Sequence, residues 1–212
     1  MASQQRSRKA LGLWMNGHFV GTWSLEAGGD VLQYDSQWVQ SPQRRPLSLS
    51  LPFTPGNRPH KGNAVRFYFE NLLPDSKDIR ERVARRYQVG ATDAYTLLRE
   101  VGRDCVGALQ ILPAGDEPPT DLRVQAEPMS DHAVAQRIRT LAQPGALGDA
   151  GMADDFRISI AGAQEKDALL FWQGRWCRPL GATPTTHIFK LPLGLIGNLQ
   201  LDMQHSVENE WL

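Results

Sequence analysis

The sequence predicts an α+β protein that is β-rich at its start, helical in its middle and strand-rich in its last third. Three observations carry this. Asn16-Gly17 separates two apolar, β-prone runs, helix-period stripes fill residues 75 to 102, and short apolar runs parted by small residues return after residue 156.

Taken in order, Ala10–Met15 and His18–Ser24 read as a tight hairpin, because Asn16 and Gly17 accept the positive φ that such a turn needs. Val31–Tyr34 is a third strand. Leu47, Leu49 and Leu51 alternate with Ser48 and Ser50, the period of a half-buried strand that Pro52 stops. Phe53 to Gly62 is a proline- and glycine-rich loop. Asp75 or Ser76 caps a helix with Ile79, Val83 and Tyr87 on one stripe. Thr92 caps a second, with Tyr95, Leu98 and Val101 inward and Gly102 at its exit. Val106–Leu112 is a short strand, and Pro113 to Pro128 is the linker.

Ser130 or Asp131 caps a helix carrying Val134, Ile138 and Leu141, and Pro144 to Gly151 is a loop. Phe156–Ile160 is a strand that ends in a bend of small residues, Ala161 to Gln164. Ala168–Trp172 and Arg175–Arg178 form a hairpin around Gln173-Gly174. Thr186–Leu191 is a further strand, and Ser206 begins a helix.

Composition narrows the function. The 212 residues are 41% hydrophobic with six tryptophans, so the chain folds. Lysine plus arginine and aspartate plus glutamate are 23 each, which removes the global field of a protein that grips nucleic acid through phosphates. Cys105 and Cys177 are far apart, in no CxxC pair, and build no zinc spacing with the five histidines. They read as free thiols of a reducing compartment. The apolar run Ala10–Met15 is too short for a signal core or a membrane span, so the expectation is a soluble cytoplasmic protein.

The segment that carries chemistry runs from Arg157 to Lys166 and continues into His187–Pro192. Small residues between strands allow backbone N–H groups to approach an anion closely, although a simple tight turn would look the same. Neither GxxxxGK(S/T) nor GxGxxG is present. Lys190 stands mid-strand, sharing a side with Ile188 while His187, Phe189 and Leu191 take the other. A lysine there needs an anionic partner, or else it snorkels from an edge strand to solvent.

Ser159–Lys166, Pro184–Pro192 and Ser206–Glu210 closely resemble the HipA family of serine/threonine kinase toxins. So do Ser48–Pro52, Glu70–Asp75 and Gly102–Leu109, in the family's order. The resemblance implies a HipA N-terminal subdomain over residues 1–125. A partial kinase-like small lobe, an antiparallel sheet plus helix, follows over 126–212, with the C-lobe absent. It implies that Ala161, Gly162, Ala163, Gln164, Glu165 and Lys166 form a nucleotide loop and that Lys190 contacts ATP phosphates. Glu208 and Glu210 are the carboxylates offered to that lysine, and Ser159 is the autophosphorylated serine. By the residues alone, without the resemblance, Ser159 reads as an ordinary strand serine.

The family resemblance further implies ATP with Mg2+ for the full kinase, and none or weak binding for this piece. It implies a HipB-like helix-turn-helix antitoxin, DNA contact only through that antitoxin, and a protein substrate in the translation machinery. No HxDxxxxN or DFG-like motif occurs late enough to serve, so the catalytic aspartate and metal ligands are expected beyond Leu212 and the chain reads as a truncated, inactive fragment. The alternative is a non-enzymatic binding module that engages the antitoxin or restrains a partner kinase.

Overall fold

The computed structural model describes residues 10–105, 107–119, 123–141, 166–181, 183–196 and 201–211. These fall into two compact units, the first within Met1–Leu122 and the second within Arg123–Phe156 and Gly162–Leu212. The α+β expectation holds in both.

The first unit is built on an antiparallel sheet. Its strands are β1 (Ala10–Met15), β2 (His18–Glu26), β3 (Gly29–Tyr34), β4 (His60–Lys61) and β5 (Leu109–Pro113), in the order β4-β3-β2-β1-β5. Asn16 and Gly17 take φ of 50° and 79°, and Met15 pairs with His18, so the hairpin closes on the two residues whose backbone permits it. Helices α1 (Ser36–Gln40), α2 (Asn63–Glu70), α3 (Lys77–Arg86) and α4 (Ala94–Val101) complete the unit. The core includes Leu11, Leu13, Val20, Trp23, Leu32, Leu97, Leu98 and Ile111, all buried. The Trp23 and Phe69 rings stack at 3.7 Å, Tyr95 meets Trp23 edge-on, and the indole N–H donates to Asp30 Oδ1 at 2.8 Å. Burying Trp23 fully therefore leaves its polar edge satisfied.

Several expectations require correction. Leu47–Leu51 is a turn and not a strand: Leu51 N donates to Ser48 O at 3.1 Å and Ser50 N to Ser48 Oγ at 3.2 Å. Serine hydroxyls compete with a ladder for the local backbone, and this competition beats the alternating pattern. Leu51 is buried while Leu49 is 96% exposed, so the two do not share a buried face. Asp93, not Thr92, caps α4 by accepting from Thr96 N at 3.0 Å, and Leu97 joins Leu98 and Val101 inside. His60–Lys61 pairs as a strand inside the stretch read as loop, and α1 and α2 are elements that the pattern did not reveal. The N-terminal part of the 106–112 strand is replaced by a turn at Gly107, while Val106 lies outside the described residues.

The second unit holds β6 (Ala126–Pro128), α5 (Asp131–Leu141), β7 (Lys166–Trp172), β8 (Arg175–Pro179), β9 (His187–Lys190), β10 (Gly194–Ile196), β11 (Leu201–Met203) and α6 (Ser206–Trp211). Its main sheet has the order β6-β8-β7-β9, and β10 pairs with β11. Ala126–Pro128 is thus part of a sheet and not linker; Pro128 is tolerated because β6 is an edge strand. Gln173 and Gly174 adopt φ of 51° and 76°, and Trp172 pairs with Arg175 across them, as the hairpin reading requires. Ala168, Leu169 and Leu170 are all buried, which marks β7 as a strand covered on both faces. The Pro144–Gly151 loop and the Phe156–Ile160 strand lie outside the described residues.

Both cysteines are buried and free. Burial pushes the Cys105 thiol well above its usual range, with Asp104 adding to the effect. Burial also raises Tyr68, helped by Cys105 and Tyr34, and raises Tyr34 against the opposing hydrogen bond from Leu47. The Tyr34 hydroxyl donates to Leu51 O at 2.6 Å and accepts from Leu47 N at 2.9 Å, which pins both ends of the serine turn.

Two outcomes follow from this packing. A Cβ on Gly21 would stand 2.2 Å from Gln33 O, so Gly21→Ala should cost about 3 kcal/mol in urea unfolding. The fold also holds four groups, Cys105, Tyr34, Tyr68 and Tyr95, neutral above their unfolded values of about 8.5 for a thiol and about 10 for a phenol. The unfolded chain therefore gives up these protons first. Stability is intact below the unfolded values and declines as pH rises past them toward the folded ones. Urea midpoints should be flat from neutral pH to about 8 and fall above about 9, with Tyr68→Phe flattening the fall.

Candidate functional site

β7 and β9 are antiparallel neighbours with Lys166 opposite Lys190, Asp167 opposite Phe189, Ala168 opposite Ile188 and Leu169 opposite His187. Direct cross-strand partners project from one face with Cβ atoms roughly 5 Å apart. Lys166 and Lys190 therefore share a face with Ala168 and Ile188, both lysines being half-buried and Ile188 being 57% exposed. Two lysines rooted opposite one another on neighbouring strands give this half-buried face a positive character suited to a multiply charged anion.

The opposite face is organised by an ion pair and by aromatic rings. Arg137 of α5 forms a two-pronged pair with Asp167, Nε to Oδ2 and Nη2 to Oδ1, the latter at 2.9 Å. The two side chains are 11% and 13% exposed. Asp167 Oδ1 also accepts from Ala168 N at 2.8 Å. Trp176 sits among Phe171, His187 and Phe189, with ring centroids at 5.0, 4.9 and 5.3 Å. Thr186 Oγ1 accepts from Phe171 N at 2.7 Å, extending the β7–β9 contact past the last ladder pair. Arg137 occupies the apolar stripe between Val134 and Ile138, and a charge at that helical position was the sequence signal for this pair.

Ser206 begins α6, and its Oγ accepts from Leu193 N at 3.0 Å, tying the start of the helix to the segment that leaves β9. Glu208 lies on this helix with its side chain 63% exposed and 4.0 Å from His205 Nδ1. Glu210 belongs to the same helix. Ser159, Ala161, Gly162, Ala163, Gln164 and Glu165 lie outside the described residues. Of the expected site residues, Lys166 and Lys190 are therefore the two brought together as direct partners. Among the described residues no three His, Cys, Asp or Glu side chains gather to hold a metal ion. Nor, among them, is any helix long and apolar enough to cross a membrane.

Residues 11–112 match the HipA N-terminal domain. The Y4mE protein of Sinorhizobium fredii is 30% identical over 201 residues, covering 87% of this chain and 44% of that protein. The serine/threonine-protein kinase toxin HipA of Shewanella oneidensis is 28% identical over 174 residues, covering 81% of this chain and 37% of the toxin. A solved complex of the Shewanella oneidensis MR-1 toxin antitoxin system, containing HipA, HipB and operator DNA, superimposes with a TM-score of 0.60 at 25% identity. That match covers 84% of this chain and 39% of the solved one. The first unit is thus a HipA N-terminal domain. The chain belongs to the HipA family and corresponds to the N-terminal part of its members, spanning less than half the length of these relatives.

The exposed pair of Arg178 with Glu127, 32% and 55% exposed, offers a contrast to Arg137 with Asp167. Arg178→Ala should change the unfolding free energy by no more than about 1 kcal/mol, since solvent screens such a pair. A larger loss in denaturant titration would assign the edge strand β6 a dependence on that ion pair.

Proposed function

We propose that this chain supplies the nucleotide-binding half of a HipA-type, ATP-dependent serine/threonine protein kinase. The observation that carries the reading is the Lys166–Lys190 cross-strand pair, which lies directly after the 161–165 segment. The triphosphate would be held by the two ammonium groups and by backbone N–H groups of Ala161, Gly162, Ala163, Gln164 and Glu165. Ile188, exposed on the lysine face, offers an apolar surface for the base. Glu208 or Glu210 on α6 orients Lys190, a role supported by the Ser206–Leu193 tether near the end of β9.

ATP with Mg2+ supplies the transferable phosphoryl group. The residues here bind and orient it, while the hydroxyl-orienting carboxylate and the metal ligands come from outside these 212 residues. The 212-residue chain alone is therefore expected to bind nucleotide weakly and not to turn over. Ser159 is the proposed autophosphorylation site. A phosphate there carries about −1.5 to −2 charges and would compete with ATP for the same donors. The protein substrate belongs to the translation machinery, and the setting is a cytoplasmic toxin–antitoxin system, in keeping with buried free thiols.

Titration calorimetry with ATP and Mg2+ tests the reading. Lys190→Ala should weaken binding at least about tenfold, equivalent to 1.4 kcal/mol. Equal heats from the two proteins would remove Lys190 from the site.

A second reading is favoured by the solved HipA, HipB and DNA complex that resembles this chain. Residues 1–125 would then engage a HipB-like helix-turn-helix antitoxin, or restrain a partner kinase, without catalysis, with DNA reached only through the antitoxin. Co-purification with the cognate antitoxin and kinase should retain this chain on one of them, and retention on neither would end that reading.

A further inference from the structure

The buried pair between Arg137 and Asp167 poses a question that stability does not answer. Taking a guanidinium and a carboxylate out of water offsets much of their attraction, and well-packed apolar residues would hold α5 on the sheet as well or better. The pair instead supplies direction. A two-pronged guanidinium contact admits essentially one orientation of the carboxylate, and Asp167 is further fixed by its own bond from Ala168 N.

Asp167 is the second residue of β7, directly after Lys166. Side chains alternate along a strand, so holding Asp167 against α5 sends Lys166 to the other face, beside Lys190. The ladder between β7 and β9 begins at Lys166, at the end of the strand where register is held least. A slip of one residue there would exchange the faces, putting a carboxylate where a lysine stands and leaving the lysine under α5. A negative charge on the lysine face would repel a phosphate chain in proportion to the phosphate charge, and would leave an uncharged ligand unaffected.

We propose that Arg137 is a positioning residue for phosphate recognition: by sequestering Asp167 on the α5 face, it holds Lys166 beside Lys190 on the other. This rests on the nucleotide-site reading above. It adds a residue on a different element, 29 positions before Lys166, whose contribution passes through its fork on Asp167 and the strand.

The test compares ATP-Mg with adenosine, in the full chain, as wild type, Arg137→Gln and Arg137→Lys, at a temperature well below each protein's melting point. Arg137→Gln should weaken ATP about tenfold through lost preorganisation and leave adenosine affinity unchanged. Arg137→Lys keeps the charge but loses the fork, so an ATP loss of about threefold is expected, again with adenosine unchanged. Should Arg137→Gln not fold, the lysine variant carries the test alone. ATP affinity equal to wild type in either folded variant overturns the proposal, as does equal weakening of ATP and adenosine, which is the mark of a purely structural pair. If wild type binds no ATP at all, the nucleotide-site reading itself falls, and this proposal falls with it.

Discussion

The register of β7 against β9 is the constraint on which the second unit depends. Pairing Lys166 with Lys190 and Asp167 with Phe189 separates the strand's charges by face, cations to one side and the carboxylate to the other. The ion pair to α5 and the aromatic group around Trp176 both sit on the carboxylate side. The packing of one face thus determines which groups the other face can offer. The consecutive burial of Ala168, Leu169 and Leu170 holds the middle of the strand on both sides, and the ion pair to Arg137 holds its first residues.

The first unit follows a different logic. Its sheet is ordered almost entirely by chain neighbours, with β1, β2 and β3 forming a meander and β5 returning to the open edge of β1. Trp23 is stacked on Phe69, met edge-on by Tyr95 and bonded to Asp30, so α2 and α4 converge on one ring. Tyr34 plays the corresponding role toward the long connection after β3, where its hydroxyl serves two backbone groups of the 47–51 turn at once. Neutral phenols and a neutral thiol in this core cost far less in solvation at ordinary pH than their ionised forms would, which is why burial raises their pKa values.

Much of this architecture was legible in the sequence wherever a local signal and the tertiary context agreed. Asn16-Gly17 and Gln173-Gly174 specify turns through φ preferences that no packing needs to reinforce. Ser76 caps α3 by accepting from Ile79 N, as its position before an amphipathic stripe suggested. The signals failed where two local tendencies competed. Ser48 and Ser50 closed a turn on themselves, and the aromatic segment Asn63–Glu70, whose Val65, Phe67 and Phe69 alternate as in a strand, coiled into a helix with Val65 and Phe69 on its buried side. Asp93 displaced Thr92 as the cap because a carboxylate one residue later reached the amide.

For the site, sequence alone determined the kinds of residue available: a lysine in an apolar strand, another at the end of a small-residue bend, and a serine opening a carboxylate-bearing helix. It also determined the resemblance to HipA proteins, because family motifs are strings of residues and survive without coordinates. Only the tertiary structure decided that Lys166 and Lys190 are direct partners and that Arg137 reaches across 30 positions to Asp167. The reason is physical: alternation along one strand is a local property, whereas the pairing between strands and the seating of a helix depend on how distant segments share one buried surface.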